Sequence, residues 1–438
     1  MNSELIENIA SRIVEKALNA GADDAECIVR RVQSLRIELK DGKPEGVKRA
    51  DETSAALRVL VDGKREGFAF TTAPEVGMYD DIARDAIDAA RLLPLIEETR
   101  FSRARKIGSM EGLFDPDGFD VSFEDKVLLA AELEEAVLGT DERVDQAHKP
   151  AFGEQRRVTA IASGGNVWSY EDSVFSLSAQ AIARAGEESQ SGYDFSVSRR
   201  YSDLHPGQVG RNAAIDAAQL LGGLPPDTGT FPAVFPPRVA VDLLGALVSS
   251  FSAEEMQKGR SRLVDKRGEK LFSHALSIVD DGAMPWRTGS VPFDDERVPP
   301  VPRRLVDSGV IAGCMHTLKT AAKWSEEPTG SASRGSLTGA PVPGPTNLYV
   351  DGGPSPLDLT ALSGPAVKFN SLMGTHMIDG VSGDFSLGAA GFILQNGETV
   401  RPFRNGTVSG NLFDLMASLA DVGDDLTFYG SLGSPTLV

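Results

Sequence analysis

The run Gly383-Asp384-Phe385-Ser386-Leu387-Gly388-Ala389-Ala390-Gly391-Phe392 constrains the fold more than any other stretch. Small and apolar side chains alternate along it, which is strand geometry. Phe392-Ile393-Leu394 then meets Gln395-Asn396-Gly397-Glu398. Asn-Gly supplies the positive φ that a two-residue hairpin turn requires. Val400, Pro402 and Phe403 continue on the far side. The pattern predicts a glycine-rich β-hairpin in which backbones, or a ligand, come close.

The remainder predicts an α+β chain, with N-terminal antiparallel-sheet α+β domains at residues 1–100 and 110–222 and a β-rich C-terminal domain at 228–438. Leu5, Ile6, Ile9, Ile13, Val14 and Leu18 share one helical face. Strands are expected at Ala25 to Val32, Ser34 to Leu39 and Ser54 to Val61, with a hairpin connection from Asp62 to Gly67 and a helix from Tyr79 to Leu92. Pro94 to Asp120 reads as a linker. Ser122-Phe123-Glu124-Asp125 resembles a capping box and opens a second unit. Its strands are expected at Arg143 to Ala147, Gln155 to Ser163, Val167 to Tyr170 and Ser173 to Arg184, before a helix from Gln208 to Leu221. The second unit echoes the first in pattern, without a clear sequence repeat. Beyond Pro236-Pro237 a helix is expected from Arg238 to Phe251. After it come short apolar segments among many Gly and Pro residues. Pro328 to Pro345 reads either as a mobile surface loop or as a functional one.

The chain carries 44 Lys and Arg against 63 Asp and Glu, a net charge of −19. That opposes duplex nucleic acid, whose phosphates are bound by a basic face. Cys27 and Cys314 give no disulfide framework. The amphipathic N-terminus has no secretory pattern, and no apolar run reaches about 18 residues, so the expectation is a cytoplasmic protein without a membrane partner.

The glycine-rich run, followed by RPFRNGTVSGNLFDLM and VGDDL, closely resembles the C-terminal signature of the TldD/PmbA family, also called modulator of DNA gyrase and peptidase family U62. Further matching segments are Lys258-Gly259-Arg260-Ser261, Ser277-Ile278-Val279-Asp280-Asp281, Phe293-Asp294-Asp295-Glu296, Ser308-Gly309-Val310-Ile311 and Pro328 to Arg334. Arg297 stands where the family usually has Gly. The resemblance is good from about Phe231 to Leu437 and weaker before that. It implies a metalloprotease family whose catalytic TldD-type branch binds zinc through H-E-x-x-x-H on a helix and a later Cys. The Glu there activates a metal-bound water.

No two of His148, His205, His274, His316 and His376 have that spacing. Counting back from Lys258-Gly259, the motif falls on about Leu244, Gly245 and Ser249. The Cys-bearing segment is also missing after Val422-Gly423-Asp424-Asp425-Leu426. The expectation is no catalytic and no metal-binding residue on this chain. Weaker alternatives are Cys314-Met315-His316, His376 with Asp379 and Asp384, and oxygen ligands from Asp280-Asp281 or Asp294-Asp295-Glu296. There is no G-x-S-x-G elbow and no phosphate-binding P-loop.

This departure resembles the TldE/PmbA-type branch, which keeps the fold without the metal site. It implies a heterodimer with a TldD-type metalloprotease subunit that holds the zinc. It also implies unfolded or short peptides as substrates, as in leader-peptide or antitoxin processing. An isolated chain of this kind could homodimerise. Candidate peptide-binding residues are Thr329, Gly330 and Arg334 in the loop, and Gly383, Asp384, Phe385, Ser386 and Gly388 in the hairpin. The alternatives are a peptidase in its own right with an unrecognised site and a gyrase-modulating regulator.

Overall fold

The computed structural model describes residues 3–97, 100–102, 108–335 and 337–438. Residues 98–99 and 103–107 of the expected linker, and Ser336 of the expected loop, lie outside the described residues. The N-terminal half runs α1 (Ser3–Asn19), β1 (Asp24–Lys40), β2 (Lys43–Val61), β3 (Arg65–Thr71) and α2 (Tyr79–Leu92). After α3 (Pro116–Asp120) the order returns: α4 (Phe123–Leu138), β4 (Val144–Ser163), β5 (Asn166–Ala185), β6 (Glu188–Ser198) and α5 (Pro206–Gln219). All six strands form one antiparallel sheet in the order β3-β2-β1-β4-β5-β6. The equivalent strands β1 and β4 meet antiparallel at its centre, which relates the two halves by an approximate two-fold axis.

Three pairs of expected strands are single long strands. The apolar pattern breaks at Gln33-Ser34 and Glu171-Asp172, yet the ladder continues. Polar pairs across neighbouring strands replace apolar ones there: Arg31 Nε and Nη2 donate to Asp51 at 2.8 and 2.7 Å, and Arg157 Nε donates to Asp172 at 2.8 Å. β6 went unseen because a polar sequence suits the edge position it takes. The turns follow their residues. Gly164-Gly165 and Asn396-Gly397 both have positive φ at each residue, closing Ser163 to Asn166 and Gln395 to Glu398. Ser122 Oγ accepts from the Asp125 N–H at 3.0 Å and caps α4.

All four long helices cover one face of the sheet. Odd positions of β1 point to it, Cys27 and Val29 into the core beneath α1 and α2, and Leu35, Ile37 and Leu39 into that beneath α4 and α5. Each fully buried Ile or Leu contributes about 1.5–3 kcal/mol. Even positions Glu26, Ile28 and Arg30 face the C-terminal unit instead.

That unit begins with β7 (Ala233–Val234) and α6 (Pro237–Leu247), whose expected final turn is the 3-10 segment Val248–Phe251. There follow α7 (Ala253–Gln257), β8 (Ile278–Asp280), β9 (Arg303–Asp307), β10 (Val310–Ile311), α8 (Leu318–Trp324), β11 (Ala332–Ser333), β12 (Val342–Pro343) and β13 (Leu348–Val350). The chain ends with β14 (Pro365–Met373), β15 (Asp384–Gln395), β16 (Glu398–Asn411), α9 (Leu412–Ala417), β17 (Thr427–Tyr429) and β18 (Leu432–Ser434). Two larger sheets result, β10-β9-β8-β13-β18-β17 and β16-β15-β14-β7. α6 shares one core with both: Leu243, Leu244 and Leu247 cluster with Leu348 of the first and with Phe369 and Leu387 of the second. No helix among the described residues is long and apolar enough to cross a membrane.

Candidate functional site

The deepest cluster of charge lies where the N-terminal sheet meets the C-terminal unit. Glu26 of β1 is fully buried and receives three arginines. Arg58 Nη1 and Arg334 Nη2 donate to its Oε1 at 3.3 and 2.9 Å, and Arg297 Nε donates to its Oε2 at 3.5 Å. Arg58 also bridges to Glu66 at 2.9 Å and to Glu296 at 3.1 Å. Arg30 pairs with Asp295 and donates to the Arg334 carbonyl at 2.9 Å. These groups were not foreseen as partners. The available signal was a lone Glu or Arg inside an apolar strand, as in Ala25-Glu26-Cys27 and Leu57-Arg58-Val59.

The acids considered for a hard cation already have partners, Asp295 and Glu296 at this interface and Asp280 and Asp281 within the C-terminal unit. Asp294 accepts from the N–H groups of Glu296, Val298 and Ala332, each at 2.9 Å. Burial, with Glu296 beside it, pushes the Asp294 carboxyl well above the usual carboxylate range. Glu296 accepts from the Leu318 N–H at 2.7 Å and is also pushed up by burial. Asp280 accepts from Thr346 N–H and Oγ1 at 2.7 and 2.9 Å, and burial raises it to about 6.

The expected loop from Pro328 to Pro345 divides: its first part, to Arg334, is largely buried, while Gly335, Thr338, Ala340 and Val342 are exposed. Thr329, Ser331, Ala332 and Arg334 are buried against the N-terminal sheet. Thr329 Oγ1 accepts from the His316 N–H at 2.7 Å, and Gly330 has φ +66 with its Cα against Pro300. Arg334 gives its Nη2 to Glu26, while its Nε and Nη1 are buried without a hydrogen-bond partner among the described residues. The hairpin candidates sit elsewhere, at one end of β15. Gly383 has φ +82, and a Cβ there would lie 2.4 Å from the Phe413 ring. Asp384 is exposed and accepts from Asn411 Nδ2 at 2.8 Å, which holds its pKa low. Phe385 packs at the margin of the core and Ser386 is exposed. Gly388 faces the flexible end of Met373 at 3.0 Å. Among the described residues no hydrogen bond or ion pair joins the loop group to the hairpin group.

The position of the expected zinc motif is filled with hydrocarbon. Leu244 is buried in the core of the C-terminal unit. A Cβ at Gly245 would touch Leu432 Cδ1 at 3.5 Å. Leu432 belongs to the β17–β18 hairpin, which packs on α6. Ser249 is exposed in the 3-10 turn. These side chains do not fit a zinc centre. Among the described residues no three His, Cys, Asp or Glu side chains converge as a metal site. Cys314 Sγ lies 3.1 Å from His316 Nε2, with Glu326 at 3.4 Å from the same nitrogen. Burial pushes the thiol up to about 11 and the imidazole down to about 4. Both are neutral near pH 7, so the pair has no thiolate to offer.

This scaffold, two α+β units related by an approximate two-fold axis and carrying a β-rich unit through a buried ionic interface, is that of a metallopeptidase family. Residues 228–438 match the model of the PmbA/TldA metallopeptidase C-terminal domain, 116–221 its central domain and 25–93 its domain 1. The chain belongs to the PmbA/TldD metallopeptidase family. It is 27% identical to a metalloprotease PmbA homolog of Haemophilus influenzae over 96% of this chain and 92% of that protein. It is 26% identical to metalloprotease PmbA of Escherichia coli O157:H7, covering 97% and 92%. A solved Thermotoga maritima structure, named a modulator of a DNA gyrase, superposes with TM-score 0.88 at 26% identity, covering 98% of each chain. TldE from Thermococcus kodakarensis shares the fold, with TM-score 0.85 at 19% identity and 97% of each chain covered.

Proposed function

We propose that this chain is the non-catalytic, TldE/PmbA-type subunit of a cytoplasmic zinc-peptidase complex, paired with a TldD-type metalloprotease subunit that holds the metal. The complex would act on unfolded or short peptides. One observation carries this reading: Leu244, Gly245 and Leu432 form an apolar junction where a metal, a carboxylate and a water would have to meet. Hydrolysis at zinc requires about three protein ligands, an open position and a base. This junction supplies none of them, and α6 still earns its place by filling the core between two sheets.

Within that complex we place the peptide beside Asp384 to Leu387 of β15, which pair with β16 on one edge and run past the end of β14 at Met373 on the other. An extended peptide would lie there by backbone pairing, with loose sequence preference. Gly388→Val is the useful probe, since only a Met373 methyl must give way. Gly383→Val would strain a positive φ and strike Phe413.

The test compares the purified chain, a TldD-type partner and their mixture, each assayed for zinc and for cleavage of an unstructured peptide. Cleavage is expected only with the partner present, unchanged by Cys314→Ala, and reduced in the mixture by Gly388→Val. One zinc per chain with chelator-sensitive cleavage by this chain alone would overturn the subunit reading.

A further inference from the structure

A pocket of about 310 Å3 opens where the end of β6 meets the C-terminal unit. Arg200 and Asp203 form one wall, and Trp286, Arg287 and Phe428 the other. Each arginine lies over a ring: Arg287 Cζ is 3.9 Å from the Phe428 centroid, and Arg200 Cζ is 5.0 Å from that of Trp286. Their N–H groups differ in employment. Arg200 Nε donates to Asp203 Oδ2 at 3.1 Å. The Arg287 side chain makes no hydrogen bond or ion pair among the described residues, although it is half-buried.

The segment that carries Arg287 is fixed. Fully buried Arg199 donates from Nε to the Arg287 carbonyl at 2.7 Å, and from Nη2 to the carbonyls of Thr288 and Ser290 at 2.9 and 2.7 Å. Trp286 holds φ +63, with its N–H on the Gly112 carbonyl at 3.1 Å. A bulky residue in that conformation is strained and persists only where its surroundings enforce it. The backbone that carries Arg287 is thus held, and its guanidinium rests over the Phe428 ring.

We propose that this pocket is a carboxylate-binding site, with Arg287 as the two-pronged donor and Phe428 as the platform beneath it. A planar guanidinium with adjacent N–H groups at liberty matches the two oxygens of a carboxylate. The two arginines and Asp203 leave the pocket one positive charge, which suits a monoanion and disfavours a phosphate dianion. The carboxylate is the free C-terminus of a peptide or an Asp or Glu side chain on it. The inference concerns binding by this chain alone and does not rest on the zinc-peptidase reading.

The experiment measures binding of short, unstructured, N-acetylated peptides to the full chain by calorimetry. One peptide has a free C-terminus as its sole carboxylate, a second is amidated and carries one internal Glu, and a third is amidated with Gln in that place. At least one of the first two is expected to bind, and which one does names the source. Arg287→Gln is expected to weaken binding by about tenfold or more, as loss of charged hydrogen bonds does, with the unfolding midpoint unchanged. Exposed Arg211→Gln should bind as the parent does. Equal binding of the third peptide, no loss in Arg287→Gln, no binding by any of the three, or inorganic phosphate competing better than acetate would each overturn the proposal.

Discussion

Two interiors of this molecule hold it together by opposite means. Around Glu26, three arginines and several carboxylates join the N-terminal sheet to the C-terminal unit with charge. Around Leu244, α6 joins two sheets with hydrocarbon, and Leu432 closes against Gly245. The difference teaches where chemistry can reside in a chain rich in ionisable groups. At the interface every carboxylate is committed to an arginine or a backbone N–H. At the junction, where the resemblance places a catalytic motif, the three motif positions Leu244, Gly245 and Ser249 carry no ionisable group. A high density of acids in sequence is therefore no sign of a reactive centre here.

Conservative substitutions in the two places should separate them sharply. Glu26→Gln keeps the shape but leaves three arginines facing a neutral amide. Removing one partner of a buried ionic cluster costs about 3–5 kcal/mol. Chemical denaturation followed by tryptophan emission should show it, since Trp168 lies under Arg297 at this interface. A loss below about 1 kcal/mol would mean that the cluster behaves like a surface ion pair and that the comparison fails.

A second contrast uses pH. Asp280 has its pKa raised by burial to about 6 from an ordinary value of 3.8. The protonated form is favoured in the folded state, so its stability contribution is full below 3.8 and is lost as pH rises through about 6. Asp280→Asn keeps an oxygen for the Thr346 bonds and removes that loss. Relative to the parent, the variant should gain on the order of 2–3 kcal/mol between pH 3.5 and pH 7.5. Parallel stability curves for the two proteins would show that water reaches the carboxylate.

Leu244→Met marks the small end of the scale. A swap of similar volume within a hydrocarbon core costs under about 1.5 kcal/mol. Thermal unfolding of this variant beside Glu26→Gln is the direct comparison. A Met cost equal to the Gln cost would mean that α6 tolerates no repacking, which would remove the contrast between the two interiors.

Much of the fold was written locally. The hairpin at Asn396-Gly397, the turn at Gly164-Gly165 and the cap at Ser122 each depend on a few adjacent residues, and each formed as their chemistry requires. The helix from Tyr79 to Leu92 shows its buried face in its own periodicity. The absence of His and Glu at Leu244, Gly245 and Ser249 is likewise a fact of composition at fixed positions. What adjacent residues could not carry was the choice of partners. Polar pairs such as Arg157 and Asp172 fuse apparent fragments into single strands only when the neighbouring strand is in register. Glu26 meets Arg334 across 308 positions of chain, and Arg334 is thereby buried at the interface. Arg287 becomes available only because the β6 end, Arg199 and Phe428 arrive at one place. Secondary structure answers to forces that act within a turn or a ladder. Burial and pairing of charge answer to the distances that folding creates, and those were decided by the tertiary structure alone.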